Sequence, residues 1–346
     1  MTKAAPGARN LITDVPGIAV GQAMDAAPRS GVTVILPDER AVCAVDARGG
    51  GPGTRETDAL AADTLVEAVD AVVLSGGSVY GLAAADAVTA WLGDRGRGYG
   101  MVRTAGVPVA PIVPAAILYD LANGGGKDWG LQPPYWALGL EAVRGASLEV
   151  ELGTAGAGAG AMAGGLKGGV GSASVITADG YAVGALAAVN SFGSVVAPGG
   201  RAFWAAPYEI GKEFGGVPLR AAHVGPDDWG LAKRDGAART HTTLAVVAVD
   251  AMLTPAQARR VAVMAQDGLA RAIRPVHAPF DGDVVFVLST GRRPLIEPTA
   301  FTLTRLGALA ADTLARAVAR GVYEATPWPG TATACWRDLP AGGVSA

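Results

Sequence analysis

Cysteine is nearly absent from this chain of 346 residues. Cys43 and Cys335 are the two thiols, too few for a disulfide framework or a cysteine-bound metal cluster. Histidine is as scarce, with His223, His241 and His277 alone, so a histidine-rich zinc site is not expected. Charge is thin as well: 17% of residues are Asp, Glu, Lys or Arg, against roughly a quarter in an average domain. A formal net charge of −3 and a pI near 5.7 rule against the basic surface that nucleic acid or anionic membrane would require. The start, MTKAAPGARNLITDVPG, holds no apolar core of signal-peptide length. The longest apolar region, AVVLSGGSVYGLAAADAVTAWL, is broken by Asp86 and several glycines, which fits a buried strand and helix and not a membrane span. The expectation is a cytoplasmic protein with neither metal nor cofactor.

What is present in excess is glycine, 50 residues, with 22 prolines. They lie between apolar segments throughout, so they mark tight turns and close backbone approaches and not a disordered tail. Half of the residues are apolar, enough for a large core whose surface is partly covered by other subunits.

Short β-branched runs predict strands at 32–37, 41–47, 71–75, 148–152, 174–180, 181–189, 243–249 and 283–289. The pair 174–189 meets across Asp179-Gly180, a hairpin signal. Helices are predicted at 57–70, 78–93, 254–272 and 301–320. The third has Thr254 as N-cap and Pro255 at its first position, with Ala258, Val261, Ala262, Ala265 and Leu269 on one face. Sheets stacked between outer helices would account for the order, a layered α/β sandwich. The segment 199–240 is polar and rich in Gly and Pro, and is predicted to be a long surface loop.

Several stretches carry chemistry, each with a plainer alternative. RGGGPGTRETD (48–58) could cradle a phosphate or be a tight turn feeding a helix; it lacks the Lys-Ser/Thr pair of a P-loop. GTAGAGAGAMAGG (153–165) fits the looser dinucleotide fingerprint through Gly158, Gly160 and Ala163, but GGLKGGVG follows where a helix is needed. In that continuation Lys167 stands between two glycine pairs, either a solvated loop lysine or a cation serving a site. Asn190, ending an apolar strand, could start a turn or donate to an oxyanion. Asp281 and Asp283 are two apart at a strand mouth, a turn signal or a pair that orients and deprotonates a hydroxyl. Thr242 and Thr243 open the strand at 243–249, where β-branched threonine is ordinary.

Taken together and in order, NLITDVPGIAVGQA, ARGGGPGTRETD, VVLSGGSVYGL, PIVPAAILYDL, GGLKGGVGSAS, VNSFGSVV, THTTLAVVAVD and DGLARAIRPVHAPFDGD resemble the family of the aminopeptidase/D-esterase DmpA, the β-peptidyl aminopeptidases and the nylon-oligomer hydrolase NylC. The resemblance implies a layered αββα sandwich, N-terminal-nucleophile-like, with its own strand connectivity. It implies one hydrolase domain over 1–346, cut by itself between His241 and Thr242 into a large subunit (1–241) and a small one (242–346). Thr242 falls on the nucleophile, Asp281 and Asp283 on the acids that activate it, Lys167 and Asn190 on the site lysine and asparagine. Tyr119, in ILYDL, falls on a substrate-binding tyrosine, with Tyr135 nearby. Threonine with two aspartates favours the NylC branch and hence linear amides such as 6-aminohexanoate oligomers; an aminopeptidase or esterase on the same fold is the alternative. The NylC branch has asparagine before the nucleophile where this chain has His241, a difference that bears on the rate of self-cleavage. The expected partners are a small linear amide or peptide-like substrate and further copies of the chain, a tetramer favoured.

Overall fold

The computed structural model describes residues 4–100, 104–219, 224–233 and 241–340. In chain order the first half supplies β1 (Ile18–Asp25), β2 (Ser30–Pro37), β3 (Ala41–Ala47), β4 (Thr54–Arg55), β5 (Ala68–Val69), β6 (Val72–Ser75), α1 (Ala83–Asp94), β7 (Ala115–Ile117) and α2 (Tyr135–Arg144). The second half supplies β8 (Met162–Ala163), β9 (Leu166–Lys167), β10 (Val170–Ile176), β11 (Ala182–Asn190), β12 (Thr242–Ala251), α3 (Pro255–Ala272), β13 (Val284–Arg293) and α4 (Thr299–Tyr323).

Two sheets stack face to face. One runs β1-β2-β6-β7-β4, the other β10-β11-β12-β13-β3-β5, and β8 pairs with β9 as a small flap. The alternation of β12 shows how the layers are filled. Leu244, Val246 and Ala248 point into the apolar layer between the sheets, beside Ile35, Leu74, Leu186 and Phe286. Ala245, Val247 and Val249 point the other way, onto Leu269 of α3 and Leu314 of α4. A strand buried on both faces reads as a continuous apolar run, which is what TLAVVAV is. Behind the first sheet, Val32, Val34 and Val73 pack on Val88 of α1 and Leu138 of α2. The order is therefore helix, sheet, sheet, helix, the αββα sandwich expected. No helix among the described residues is long and apolar enough to cross a membrane.

The hairpin predicted across Asp179-Gly180 is the antiparallel pair β10–β11. β12 and β13 are parallel, so a crossover must join them, and α3 is that crossover. Its first turn is closed by a capping box in which the Thr254 hydroxyl accepts from the Gln257 N–H at 3.3 Å and the Gln257 side chain accepts from the Thr254 N–H at 2.9 Å.

Four expectations are corrected. Residues 57–70 form no α-helix: a single 3-10 turn spans Asp58–Leu60, and Ala68–Val69 pair as an edge strand with β3. Leu60 and Val69 are the buried apolar side chains of that stretch, and Leu65 is exposed, so no apolar face exists to hold a helix down. The stretch 148–152 makes no strand, because its neighbours Ser147 and Gly153 form one isolated bridge each, to Val20 and Val170. β1 and α2, not predicted, complete the first sheet and its helical cover. Segment 199–240 is not simply a surface loop. Phe203 and Phe214 are buried and meet edge to face, Phe203 stacks on Trp336, and Glu213 takes both Nε (2.5 Å) and Nη2 (2.9 Å) of buried Arg316 on α4. Residues 220–223 and 234–240 lie outside the described residues.

Candidate active site

Thr242 is the first residue of β12, and its register partner across the antiparallel ladder is Asn190, the last of β11. One strand end thus faces another, and the site is built where the two ladders stop. The Thr242 hydroxyl donates to the carbonyl oxygen of His241, the residue before it. The same oxygen accepts the Gly282 N–H at 2.9 Å. The carbonyl joining His241 to Thr242 is therefore polarised by a main-chain donor while the hydroxyl lies against it, the pairing required where an oxyanion would develop. Gly282 has to be glycine: a Cβ there would stand 2.6 Å from Thr242 Oγ1.

Asp281 and Asp283 flank Gly282, both buried. Asp281 accepts from the N–H groups of Ala278 (2.9 Å) and Phe192 (3.3 Å). Asp283 accepts from the Thr243 N–H at 2.7 Å and, on its other oxygen, from the N–H of His277 at 3.1 Å, with His277 Nδ1 2.9 Å away. Each carboxylate is fixed by the backbone of a different segment, so the acids bind the strand end, the 277–283 loop and the end of β11 into one body. Burial, reinforced by the neighbouring Asp283 charge, pushes the Asp281 carboxyl up to about 6.

Lys167 lies at the end of the β8–β9 flap, buried, and Met162, its partner in that flap, donates its N–H to Asn190 Oδ1 at 2.9 Å. An ammonium has three donors, and here they reach the carbonyls of Gly168 (2.7 Å), Ala161 (3.0 Å) and Gly158 (3.2 Å). The glycine tract 153–165 is thus a carbonyl cradle for a cation. A single 3-10 turn, Gly156–Gly158, stands in it, and no helix follows to hold a pyrophosphate. Burial lowers the Lys167 ammonium to about 7. The Asn190 side chain donates to the main-chain carbonyl of Tyr119 at 3.1 Å. Tyr119 itself is half-buried. Tyr135 lies instead in the apolar layer between the first sheet and its helices. The structure therefore gathers Thr242, Asn190, Asp281 and Asp283 at one strand end, Asn190 by register, Asp283 through the Thr243 N–H and Asp281 through its bridge to His241, and joins Tyr119 to them through Asn190 and Lys167 through Met162 and Asn190.

Sequence reasoning passed over three residues here. Gly282 looked like half of a turn signal. His277 stands at φ +56°, the left-handed region, which aims both its N–H and its ring at Asp283. Lys233 belongs to the segment read as surface loop, yet its Nζ is 3.1 Å from His241 Nδ1 and its N–H donates to the Phe192 carbonyl at 3.1 Å. Burial lowers its ammonium to about 7, against the opposing pull of Asp281. The glycine loop at 48–53 proves to be packing. The N–H groups of Arg48 and Gly49 reach the Asp283 carbonyl and that of Gly51 reaches the Asp281 carbonyl at 2.8 Å, leaving these donors no phosphate to hold. A Cβ on Gly49 would stand 2.3 Å from the Asp281 carbonyl oxygen. Among the described residues no group of His, Cys, Asp or Glu could hold a metal ion.

Comparison with known proteins bears on the fold and the family. The chain is 44% identical over 349 aligned residues to a protein of Mycobacterium tuberculosis named as an uncharacterized aminopeptidase, covering 95% of this chain and 98% of the relative. It is 27% identical over 336 residues to the 6-aminohexanoate-oligomer endohydrolase of Kocuria sp., covering 90% and 86%. In structure it is similar to the L-aminopeptidase D-Ala-esterase/amidase of Ochrobactrum anthropi, described as a variant of the Ntn hydrolase fold, with a TM-score of 0.70 at 22% identity over 100% of this chain and 93% of that one. A β-aminopeptidase of Burkholderia sp. gives a TM-score of 0.69 at 22% identity with the same coverage. The fold is that of the N-terminal-nucleophile hydrolases. The model of peptidase family S58 matches residues 10–335, and the chain belongs to that family, hydrolases of peptide-type amide bonds.

Proposed function

We propose that this protein is an amide hydrolase that makes its own nucleophile by cutting itself between His241 and Thr242. The observation that carries the reading is the convergence of the Thr242 hydroxyl and the Gly282 N–H on one carbonyl oxygen, that of His241. In the cut, Thr242 Oγ attacks the His241 carbonyl carbon. The C–N bond breaks, the Thr242 nitrogen takes the proton released by the hydroxyl, and an ester joins residues 241 and 242. Water then opens the ester, leaving a carboxylate on His241 and a free hydroxyl and α-amine on Thr242. An unaided hydroxyl is too weak a nucleophile for this, and Asp281 and Asp283 supply the fixed acceptors that hold and tune it. The freed amine, with an ordinary pKa of about 7.7–8.0, then serves as the base for substrate turnover. Asn190 and Lys167 act on the oxyanion side of the site, Lys167 by exchanging one of its cradle bonds for the developing charge.

For the substrate, two readings stand. Removal of an N-terminal residue from a peptide-like amide is placed first, supported by the 43% and 44% identical relatives named as uncharacterized aminopeptidases. Internal cleavage of linear 6-aminohexanoate oligomers is second, supported by the threonine with two aspartates and by the 27% identical relatives so named. Residues 1–241 and 242–346 would be the two subunits, associating further as a homo-oligomer with Tyr119 on the substrate side.

The test is a denaturing gel of purified protein with N-terminal sequencing of the smaller band. Two bands are expected, the smaller beginning at Thr242. Thr242→Ala stays a single band and loses amide turnover by about a thousandfold or more, whereas Thr242→Ser retains both reactions. Full-length wild type that persists on long incubation would overturn the proposal. Product sizes from a 6-aminohexanoate oligomer, internal fragments or single residues, decide between the two substrates.

A further inference from the structure

The His241 side chain occupies a built pocket. Its ring lies 5.4 Å from that of Phe192 and 5.5 Å from that of Phe280, and those two meet edge to face at 4.7 Å. Trp229 backs Phe192 from behind, its ring 6.0 Å away and edge to face. Lys233 Nζ, 3.1 Å from Nδ1, supplies the polar wall. In its charged form Lys233 only donates, and Nδ1 is then the acceptor on the ring. His241 is 3% exposed, but Phe280 and Trp229 remain 39% and 38% exposed, so the pocket is closed around the ring and open at its rim.

The ester formed in self-cleavage is chemically an acyl-enzyme: Thr242 Oγ bonded to the acyl carbon of an amino-acid residue, here His241. Turnover of a substrate passes through the same ester, with the substrate's acyl residue where His241 stood, the amine departing with the hydroxyl proton and water releasing the acid. From this identity, and resting on the aminopeptidase reading above, we infer that the pocket of Phe192, Phe280 and Lys233 is the acyl-side specificity pocket of the mature enzyme, taking N-terminal aromatic residues that carry a ring acceptor, histidine first. Two aromatic rings select a ring by area and edge-to-face contact. Lys233 selects an acceptor on it, because a ring without one leaves a half-buried ammonium with a lost bond. The linear chain of 6-aminohexanoate has neither group to offer.

The test uses the processed enzyme and four p-nitroanilides, those of histidine, phenylalanine, alanine and 6-aminohexanoate, with initial rates giving kcat/KM. Histidine is expected to exceed alanine and 6-aminohexanoate by about tenfold or more, with phenylalanine between. Lys233→Met should lower the histidine-to-phenylalanine ratio by about fivefold, and Phe280→Ala the phenylalanine-to-alanine ratio by a similar factor. Phe280 lies at the rim, so its variant keeps the test open should Lys233→Met fail to process. In the precursor, self-cleavage rates of residue 241 variants should rank in the same order, His241→Phe above His241→Ala. Processed enzyme that turns over alanine or 6-aminohexanoate as fast as histidine, or none of the four, overturns the pocket assignment and leaves self-cleavage standing. Protein that never cuts itself overturns the reading beneath it.

Discussion

At the scale of single residues, the site depends most on an atom that is missing. Gly282 donates its N–H to the His241 carbonyl, and its Cα hydrogen faces Thr242 Oγ1, where a Cβ would sit 2.6 Å away. The same Cβ would stand 2.9 Å from the Gly51 carbonyl oxygen, so Gly282→Ala should lower the melting temperature as well as slow self-cleavage by about a hundredfold, as expected for a nucleophile moved by a fraction of an ångström to an ångström. A gel time course beside a thermal melt separates the two effects, and cleavage at the wild-type rate would remove Gly282 from the argument. The acid beside it sets the pH dependence. Asp281 is pushed up to about 6, so it ionises as pH rises through that value. If its carboxylate form is the working one, self-cleavage rises by about tenfold per unit below 6 and levels off above. The stability sign is the reverse of the usual acid pair. The folded chain keeps the Asp281 proton over a window where the unfolded chain has lost it, so folding stability falls as pH rises from the unfolded value toward about 6. Asp281→Asn should then flatten the cleavage profile and raise the melting temperature at neutral pH, and an unchanged profile in that variant would contradict the assignment.

At the scale of elements, the site is a meeting of ends. β11 ends at Asn190, β12 begins at Thr242, and β13 begins just after Asp283. The α3 crossover holds β12 and β13 in parallel register, so its integrity bears on the distance between nucleophile and acids. Thr254→Ala removes the side chain that accepts from the Gln257 N–H and should cost about 1 kcal/mol in stability. Chemical denaturation measures that loss, and no loss would show the cap to be redundant with Pro255 at the first turn. Sequence patterning found α3, α4, β12 and the β10–β11 hairpin, because each has an internal signal: a cap, a period, or an Asp-Gly turn. It missed α2, whose Tyr135, Leu138 and Ala142 are buried against the first sheet, and it saw a helix at 57–70 that has nothing to pack on. Those outcomes depend on a partner surface distant in the chain.

At the scale of the whole molecule, the expected cut does not divide the fold. β12 and β13 follow it, yet they sit between β11 and β3, both of which precede it. Two ladders and the apolar layer between the sheets therefore join the parts, and buried Arg316 reaches back to Glu213 and Asn10. The two fragments should co-elute in size-exclusion chromatography under native conditions and separate only in denaturant. Separation of the parts in native buffer would mean that the six-stranded sheet does not survive cleavage.

The sequence by itself determined the family, with its class of hydrolysed bond, and the layers. The order of motifs pointed to the family, apolar runs of period two and 3.6 pointed to sheets between helices, and scarce cysteine and histidine pointed away from metal. Only the tertiary structure decided what those residues touch. Lys233 and Phe280 carry no local pattern, and Lys233 lies in a polar, glycine-rich segment that reads as surface. Folding alone places Phe192, Phe280 and Lys233 against His241, with Trp229 behind Phe192. A hydrogen bond between residues eight apart, or a ring contact between residues far apart in the chain, depends on backbone geometry that no periodicity encodes.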